Sequence, residues 1–341
     1  MKQLKYKNKS YFCIPIGLLV FFSLLFVIGC GSNLQENQES ARPVIKQYQD
    51  EISVAMPINE DFFYQAVVSI SSLIDTASDK THYKIYALIP EDFRKEQIEK
   101  LRSLEKIRDN CRFEFINMND EANNFLAKDF LGIDFYKLAV STALLKSVKK
   151  CISLHPSTLV REDLSDKFHE VGLSDCYVAG VPGFCDFVEN EEDYLQRLSI
   201  ENFDYYINSG FLIWNLENCR KDKIADKFKS FLIDNKDSIE GNKFLDQDAI
   251  NSVCSNKIFI LPLAFNVFPN KKVNYNDTKF SARFSEEEWK SSNDSPKVIN
   301  FSDDGGPWVN FNLKEAATWW NYARNTEFFN EFQDRYLFGV S

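Results

Sequence analysis

The chain has 341 residues, and 40 Lys and Arg against 50 Asp and Glu leave ten net negative charges. That acidity argues against a nucleic-acid groove, which needs clustered cations, while 44% apolar and 15% aromatic residues exclude a disordered or collagen-like chain. Eight Cys are too dilute for a disulfide scaffold, no Cys-x-x-Cys pair suggests zinc, and three His leave little room for a histidine-rich metal site.

The first thirty residues read as an address. Lys2, Lys5, Lys7 and Lys9 form a basic start, and residues 10–29 then run without a charge to Val27-Ile28-Gly29-Cys30. A basic region, an apolar run and a small residue at the cut describe an export signal over residues 1–29. The Cys after the small residue resembles the bacterial lipobox, which would make Cys30 a lipidated N-terminus and residues 30–50 a polar tether. A retained signal anchor is the alternative, since about 20 apolar residues span a bilayer. The expected location is a membrane-anchored lipoprotein on the outer side of the cytoplasmic membrane, at the outer membrane or at the cell surface. Removing four lysines from a net charge of −10 takes the mature chain to −14. Cys111, Cys151, Cys176, Cys185, Cys219 and Cys254 remain, and an even number permits disulfides outside the cytoplasm. The apolar runs around Cys151, Cys176 and Cys254 favour buried free thiols there.

From residue 51 the pattern alternates strand and helix. Ile52–Met56 reads as an inner strand, and residues 63–77 place Ala66, Ile70, Leu73 and Ala77 on one helical face. Tyr83–Ile89 is a strand, and residues 91–109 are an amphipathic helix with Phe93, Ile98, Leu101, Leu104 and Ile107 inward. Cys111–Met118 is a strand, residues 134–147 a helix, and Lys150–Leu154 and Cys176–Val181 further strands. Tyr205–Leu216 mixes a Ser-Gly turn with an apolar run, residues 217–235 form a helix, and Ile258–Leu261 is a late strand. The order predicts an α/β fold, a mostly parallel sheet with helices on both faces, and a helical C-terminal cap carrying Trp308, Trp319 and Trp320. Ligands of such sheets sit beyond the carboxyl ends of the strands, here the loops after Met56, Leu154 and Val181.

Several landmarks then fall in one order: Asn59-Glu60-Asp61-Phe62, Phe135-Tyr136-Lys137-Leu138, His155-Pro156-Ser157, Asn208-Ser209-Gly210, Asp246-Gln247-Asp248 and Pro307-Trp308. Together they resemble the family 8 glycosyltransferases over residues 51–330, leaving 331–341 as a tail. The resemblance implies a GT-A fold of the nucleotide-diphospho-sugar transferase type, and transfer of a hexose from a UDP-sugar to an acceptor with retention at the anomeric carbon. It places Ala55 and Asn59 at the uridine and Phe62 against the base, where stacking contributes about 1–3 kcal/mol; one more core Phe is the alternative. Lys137 matches a cation near the donor, or else an exposed salt bridge. Asn208 and Gly210 match a turn lining the sugar pocket, and Asp246 and Gln247 the pair at the donor sugar and reacting face; a tight turn and a helix cap are the structural alternatives. Asp246, Gln247 and Asn208 are thus the catalytic candidates, with Ala55, Asn59, Phe62, Lys137 and Gly210 binding the donor.

The match breaks at the metal. The family holds Mn²⁺ or Mg²⁺ between two carboxylates of a Tyr-Leu-Asp-x-Asp strand end and a His before Lys-Pro-Trp. This chain has His155 and Ser157 at the strand end, Asn300 for the His and Gly306 for the Lys. Those cations want hard, preferably anionic oxygens, so no cofactor is expected. Lys137 and Arg161 are candidates for the missing positive charge, and Asp303 and Asp304 for a displaced metal site. An exported protein also lies outside the compartment where UDP-sugars are made. Two functions follow: a hexosyltransferase using a UDP-sugar and a glycan or lipid acceptor, or an inactive, membrane-tethered lipoprotein that binds a glycan or protein partner.

Overall fold

The structure, a computed structural model, describes residues 50–119, 132–183, 191–200, 206–235, 244–269, 275, 284–301 and 305–339. The signal, Cys30 and the tether up to residue 49 lie outside the described residues, as do Cys185, Asp303 and Asp304.

The strands are β1 (Asp50–Pro57), β2 (Thr81–Ile89), β3 (Cys111–Asn117), β4 (Lys150–Leu154), β5 (Thr158–Val160), β6 (Val178–Pro182), β7 (Ile207–Asn215), β8 (Ile258–Ile260) and β9 (Val298–Asn300). Seven of them form one sheet in the order β3-β2-β1-β4-β7-β6-β8. All its neighbours pair in parallel except β7, which runs antiparallel to both β4 and β6. The other two, β5 and β9, make a small antiparallel pair.

Strand alternation feeds two cores, one on each face. In β1, Ile52, Val54 and Met56 enter one cluster and Ala55 the other. In β7, Phe211 and Ile213 go to the first face, and Leu212 and Trp214 to the second. A strand covered on both sides reads as a continuous apolar run, as these do. The first face is covered by α1 (Phe63–Thr76), α2 (Lys95–Ser103), α11 (Ala316–Arg324) and α12 (Phe329–Tyr336). The second is covered by the turns of 133–144 and by α7 (Leu216–Lys221), α8 (Ile224–Asp234) and α9 (Leu245–Val253). The C-terminal cap is aromatic: Tyr64 and Trp319 both meet Phe332 edge-on, at 4.7 and 5.9 Å between ring centroids. Phe332 is fully buried, so the core extends past residue 330.

Four expectations change. The helix expected over 91–109 is α2 followed by a 3₁₀ turn at Leu104–Lys106, and Ile107 is 57% exposed as the chain swings out before β3. The helix expected over 134–147 is a series of short turns, Ile133–Tyr136 (α3), Lys137–Ala139 and Val140–Ala143 (α4). Its freed carbonyls are taken by one guanidinium: Arg220 donates to Ser141, Leu144, Leu145, Lys146 and Val148. The helix expected over 217–235 breaks into α7 and α8 at Lys223, whose φ of 51° is left-handed and cannot continue an α-helix. Ser209-Gly210 is not a turn but lies inside β7. Small elements without a strong periodic signal, β5 and β9 and the helices α5 (Ser165–Glu170), α6 (Glu191–Leu198) and α10 (Glu286–Asp294), were not anticipated.

The five described cysteines of the domain are free, and burial pushes the thiols of Cys111, Cys151 and Cys219 up to about 12. No helix among the described residues is long and apolar enough to cross a membrane.

A polar hub forms around Asp163, between β5 and α5. Asp163 accepts from the Ser78 and Ser165 amides, Thr81 Oγ1 and Tyr83 OH at 2.7–3.0 Å. Burial disfavours its charge, but the Thr81 hydroxyl and the Ser165 and Ser78 donors win, lowering its pKa from 3.8 to about 2. A depressed carboxylate contributes stability above its unfolded value and loses it as pH falls through the folded one. Asp163→Asn should therefore cost about 1–2 kcal/mol at pH 7, after discounting for partial exposure. In urea titrations the gap from wild type should shrink at pH 2; an unchanged gap would mean that the charge is not what the hub uses.

Candidate functional site

The topology collects the site at one edge. β1 and β4 run in parallel, with Ala55 level with Ser153. Because β7 runs the other way, its first residues arrive at the carboxyl end of β4, where Leu154 pairs with Phe211 and the His155 amide donates to Gly210 O at 2.9 Å. Asn208, Ser209 and Gly210 thus stand beside the loops that follow β1 and β4. Asn59 Oδ1 accepts from the Phe62 amide at 3.0 Å, fixing the turn into α1, and the Phe62 ring meets His155 edge-on at 5.3 Å. Ala55 itself is fully buried, with its methyl in the second core.

Helix α9 supplies the other wall. Asn251 clamps it to β7 by accepting from the Ile207 amide and donating to the Ile207 carbonyl. That clamp brings Asp246, Gln247 and Asp248, all buried, against the strand. Lys137 Nζ, whose side chain is 3% exposed, lies 2.8 Å from Asp246 Oδ2, 3.2 Å from Ser209 Oγ and 3.9 Å from Asp134 Oδ1. Ser209 also donates to Asp246 Oδ2 at 2.8 Å. Burial works to lower the Lys137 pKa, but Asp246 and Asp134 outweigh it and hold the amine above its ordinary value. Asp134, whose side chain is 52% exposed, is held well below the usual carboxylate range, its partial desolvation being overcome by the His155 hydrogen bond and the Lys137 charge. Lys137 is therefore neither exposed nor unpaired.

Gln247 is fixed at both ends of its amide. Oε1 accepts from Asn208 Nδ2 at 2.8 Å and the Ser209 amide at 3.2 Å, and Nε2 donates to Tyr206 OH at 3.1 Å. Tyr206 and Tyr194 both donate to Asp248 Oδ1 at 2.6 Å. Asp246 and Gln247 are thus tertiary contacts, and neither caps α9, whose cap position is Phe244.

At the expected metal positions the side chains satisfy one another. His155 Nδ1 is 2.6 Å from Ser157 Oγ, which donates to Asn300 Oδ1 at 3.4 Å. Asn300 Nδ2 donates to Asn266 Oδ1 at 3.1 Å. None of these four is anionic, and the nearby Asp134 is engaged by Lys137 and by His155 Nε2 at 3.6 Å. A divalent cation of the Mn²⁺ or Mg²⁺ kind, which needs hard and preferably anionic oxygens, does not fit this donor set. Among the described residues no three His, Cys, Asp or Glu side chains gather as a metal site. Arg161 is not drawn in either: it pairs with Glu315 at 3.2 Å. Gly306 seats an indole, since a Cβ there would fall 2.3 Å from the Trp308 ring.

Four contributors had escaped the sequence reading: Asp134, Asn266, Tyr206 and the buried role of Asp248. Asp134 carried a weak signal, three residues before Lys137 on a predicted helix. Asn266 carried none, because only the fold brings the Leu263–Phe265 turn against β7.

The family model described as Glycosyl transferase family 8 matches residues 53–310. The chain is 23% identical over 290 residues to a lipopolysaccharide 1,2-glucosyltransferase of Escherichia coli, covering 85% of this chain and 80% of the relative. It is 23% identical over 184 residues to general stress protein A of Bacillus subtilis, covering 53% and 60%. It spans about three fifths of the length of that protein and of a Haemophilus influenzae relative, at 60% and 63%. Among solved structures, the WbbM bifunctional glycosyltransferase superposes with a TM-score of 0.72 at 19% identity, covering 87% of this chain and 53% of that one. The galactosyltransferase LgtC, solved with donor and acceptor sugar analogues, gives 0.59 at 19% identity, covering 84% and 96%. The mostly parallel sheet with helices on both faces is accordingly a GT-A fold. With three quarters of its length matched by the family model, the chain belongs to glycosyl transferase family 8.

Proposed function

We propose that the chain is a hexosyltransferase of the family 8 kind, moving a hexose from a UDP-sugar to a glycan or lipid acceptor with retention. The observation that carries this reading is the buried Lys137–Asp246 pair with Gln247 held beside it. Lys137 and Ser209 both bind Asp246 through Oδ2, so Oδ1 is the oxygen that can accept a hydroxyl of the donor hexose. Gln247, immobilised by Asn208, Ser209 and Tyr206, presents its amide to the reacting face at little further entropic cost. Asn59 and Phe62 offer the base a fixed turn and a ring. The relatives' names support glycosyl transfer as the chemistry; the donor, the acceptor and turnover are our reading.

A second reading rests on a different observation. The positions that would hold the metal carry no carboxylate and are mutually hydrogen-bonded, and Lys137 is already paired with two carboxylates. A departing diphosphate would meet little positive charge there, which favours an inactive protein that holds a glycan or protein partner. In both readings the domain hangs from a membrane through lipidated Cys30, outside the cytoplasm.

Thermal unfolding of the full chain in detergent with UDP and UDP-hexoses, together with UDP release in the presence of glycan acceptors, separates the two. The transferase reading expects nucleotide stabilisation and turnover that falls about 100-fold or more in Gln247→Ala. Stabilisation by glycans without any nucleotide response would sustain the binding reading instead. Asp246→Asn, which leaves Lys137 buried without its nearest charge, should cost about 3–5 kcal/mol of stability in urea titrations. For the anchor, Cys30→Ser should move the protein into the soluble fraction, and continued membrane retention would point to an uncleaved helix.

A further inference from the structure

The neutral centre has a geometry of its own. Asn208 Oδ1 accepts from the Gly210 amide at 2.8 Å, from Asn266 Nδ2 at 2.8 Å and, at longer range, from Asn300 Nδ2 at 3.5 Å. Asn300 Nδ2 also reaches Asn266 Oδ1 at 3.1 Å, and Asn300 Oδ1 accepts from Ser157. Asn266 and Asn300 are 3% and 2% exposed, so this network lies inside the protein. Its members come from β7, from the turn after β4, from the residue after the Leu263–Phe265 turn, and from β9. It therefore joins the seven-stranded sheet to the small β5–β9 sheet.

The space is filled as well as bridged. A Cβ on Gly210 would lie 2.1 Å from Asn300 Nδ2, so the Asn300 amide sits directly on the Gly210 backbone. The central oxygen is ringed by N–H groups, whose positive ends point at it, and a cation placed there would meet three of them. To bind one, the network would have to rotate its amides and leave buried donors unpaired, which is the costly direction for buried polar groups.

We propose that this amide network stands in the place of a divalent cation as the tie between the two sheets, and that the centre is indifferent to divalent metal ions. The network does mechanically, with neutral hydrogen bonds, what a bound ion does by drawing ligands from separate elements together. The inference concerns the same cleft as the proposed transfer, but its test contains no sugar or nucleotide. A chain that never releases UDP leaves it standing, and a turning-over enzyme can still overturn it.

The experiment is thermal unfolding of the full chain in detergent, with EDTA, with millimolar Mn²⁺ and with millimolar Mg²⁺, alongside a direct Mn²⁺ titration. Wild type should show the same midpoint in all three conditions and no saturable Mn²⁺ binding. The triple variant His155→Asp, Ser157→Asp, Asn300→His replaces the network by anionic and imidazole ligands. Its midpoint should fall by about 4 °C or more in EDTA and recover with Mn²⁺. Asn266→Asp, nearly isosteric, turns a donor to Asn208 into an acceptor facing an acceptor, and should lower the midpoint whether or not the triple variant folds. Stabilisation of wild type by Mn²⁺, or an Asn266→Asp protein as stable as wild type in EDTA, would overturn the proposal.

Discussion

A buried ammonium constrains everything at this edge of the sheet. Lys137 cannot stay charged inside the protein without compensation, because desolvating an ammonium costs several kcal/mol. Asp246 and Asp134 supply that compensation, from the start of α9 and from α3 respectively. Meeting it requires α9 to dock on β7, which Asn251 secures through the Ile207 backbone. It also requires residues 133–143 to break into short turns, so that the Lys137 side chain enters the site while Arg220 collects the carbonyls that follow. The antiparallel direction of β7 is the other half of the arrangement. A parallel strand would have brought its last residues, not Asn208-Ser209-Gly210, to the carboxyl edge of β4.

The site is electrically divided. At one end stand Lys137, Asp246 and Asp134, a charged cluster with one more carboxylate than ammonium. At the other, His155, Ser157, Asn266, Asn300 and Asn208 are tied by hydrogen bonds with no carboxylate among them. Gln247 spans the two, accepting from Asn208 on the neutral side and from the Ser209 amide beside Asp246. The charged end suits hydroxyls, which donate to a carboxylate and accept from an ammonium. The other end holds neither a lysine nor an arginine among these residues. In the proposed transfer, sugar recognition and leaving-group stabilisation would therefore rest on different residues.

What could be read from the chain follows the same physics. The two-sided strands β1, β2 and β7 were visible through their apolar stretches, Ile52–Met56, Ile85–Ile89 and Phe211–Trp214, because burial on both faces leaves few polar residues there. The landmarks at Asn59, Phe62, Lys137, His155, Asn208 and Asp246 were legible because each is a short local run, and the fold brings them together at one edge of the sheet. The turns of 133–143 were hidden, since their helix is ended by Arg220, which lies 72–79 residues further on. Ser209-Gly210 read as a turn because glycine has that habit, yet here it is small for Asn300, 90 residues away in sequence. Asn266 had no signal at all. Local propensity sees caps and periods, whereas a polar network built from four elements exists only once the sheets have formed.

The side chains at positions 155, 157 and 300 are also tied to one another, so none of them changes alone. Asn300 needs Gly210 bare beneath its amide and takes the Ser157 hydroxyl on its oxygen; Ser157 in turn bonds His155. A carboxylate restored at position 157 alone would face Asn300 Oδ1, acceptor against acceptor, with no cation to reconcile them. An imidazole restored at 300 alone would lose the two-ended bridge between Ser157 and Asn266. Gly306, seating Trp308, is packed for an indole and has no room for a longer chain without moving it. Each such single substitution is uphill, so the arrangement is held by packing and by hydrogen bonding together.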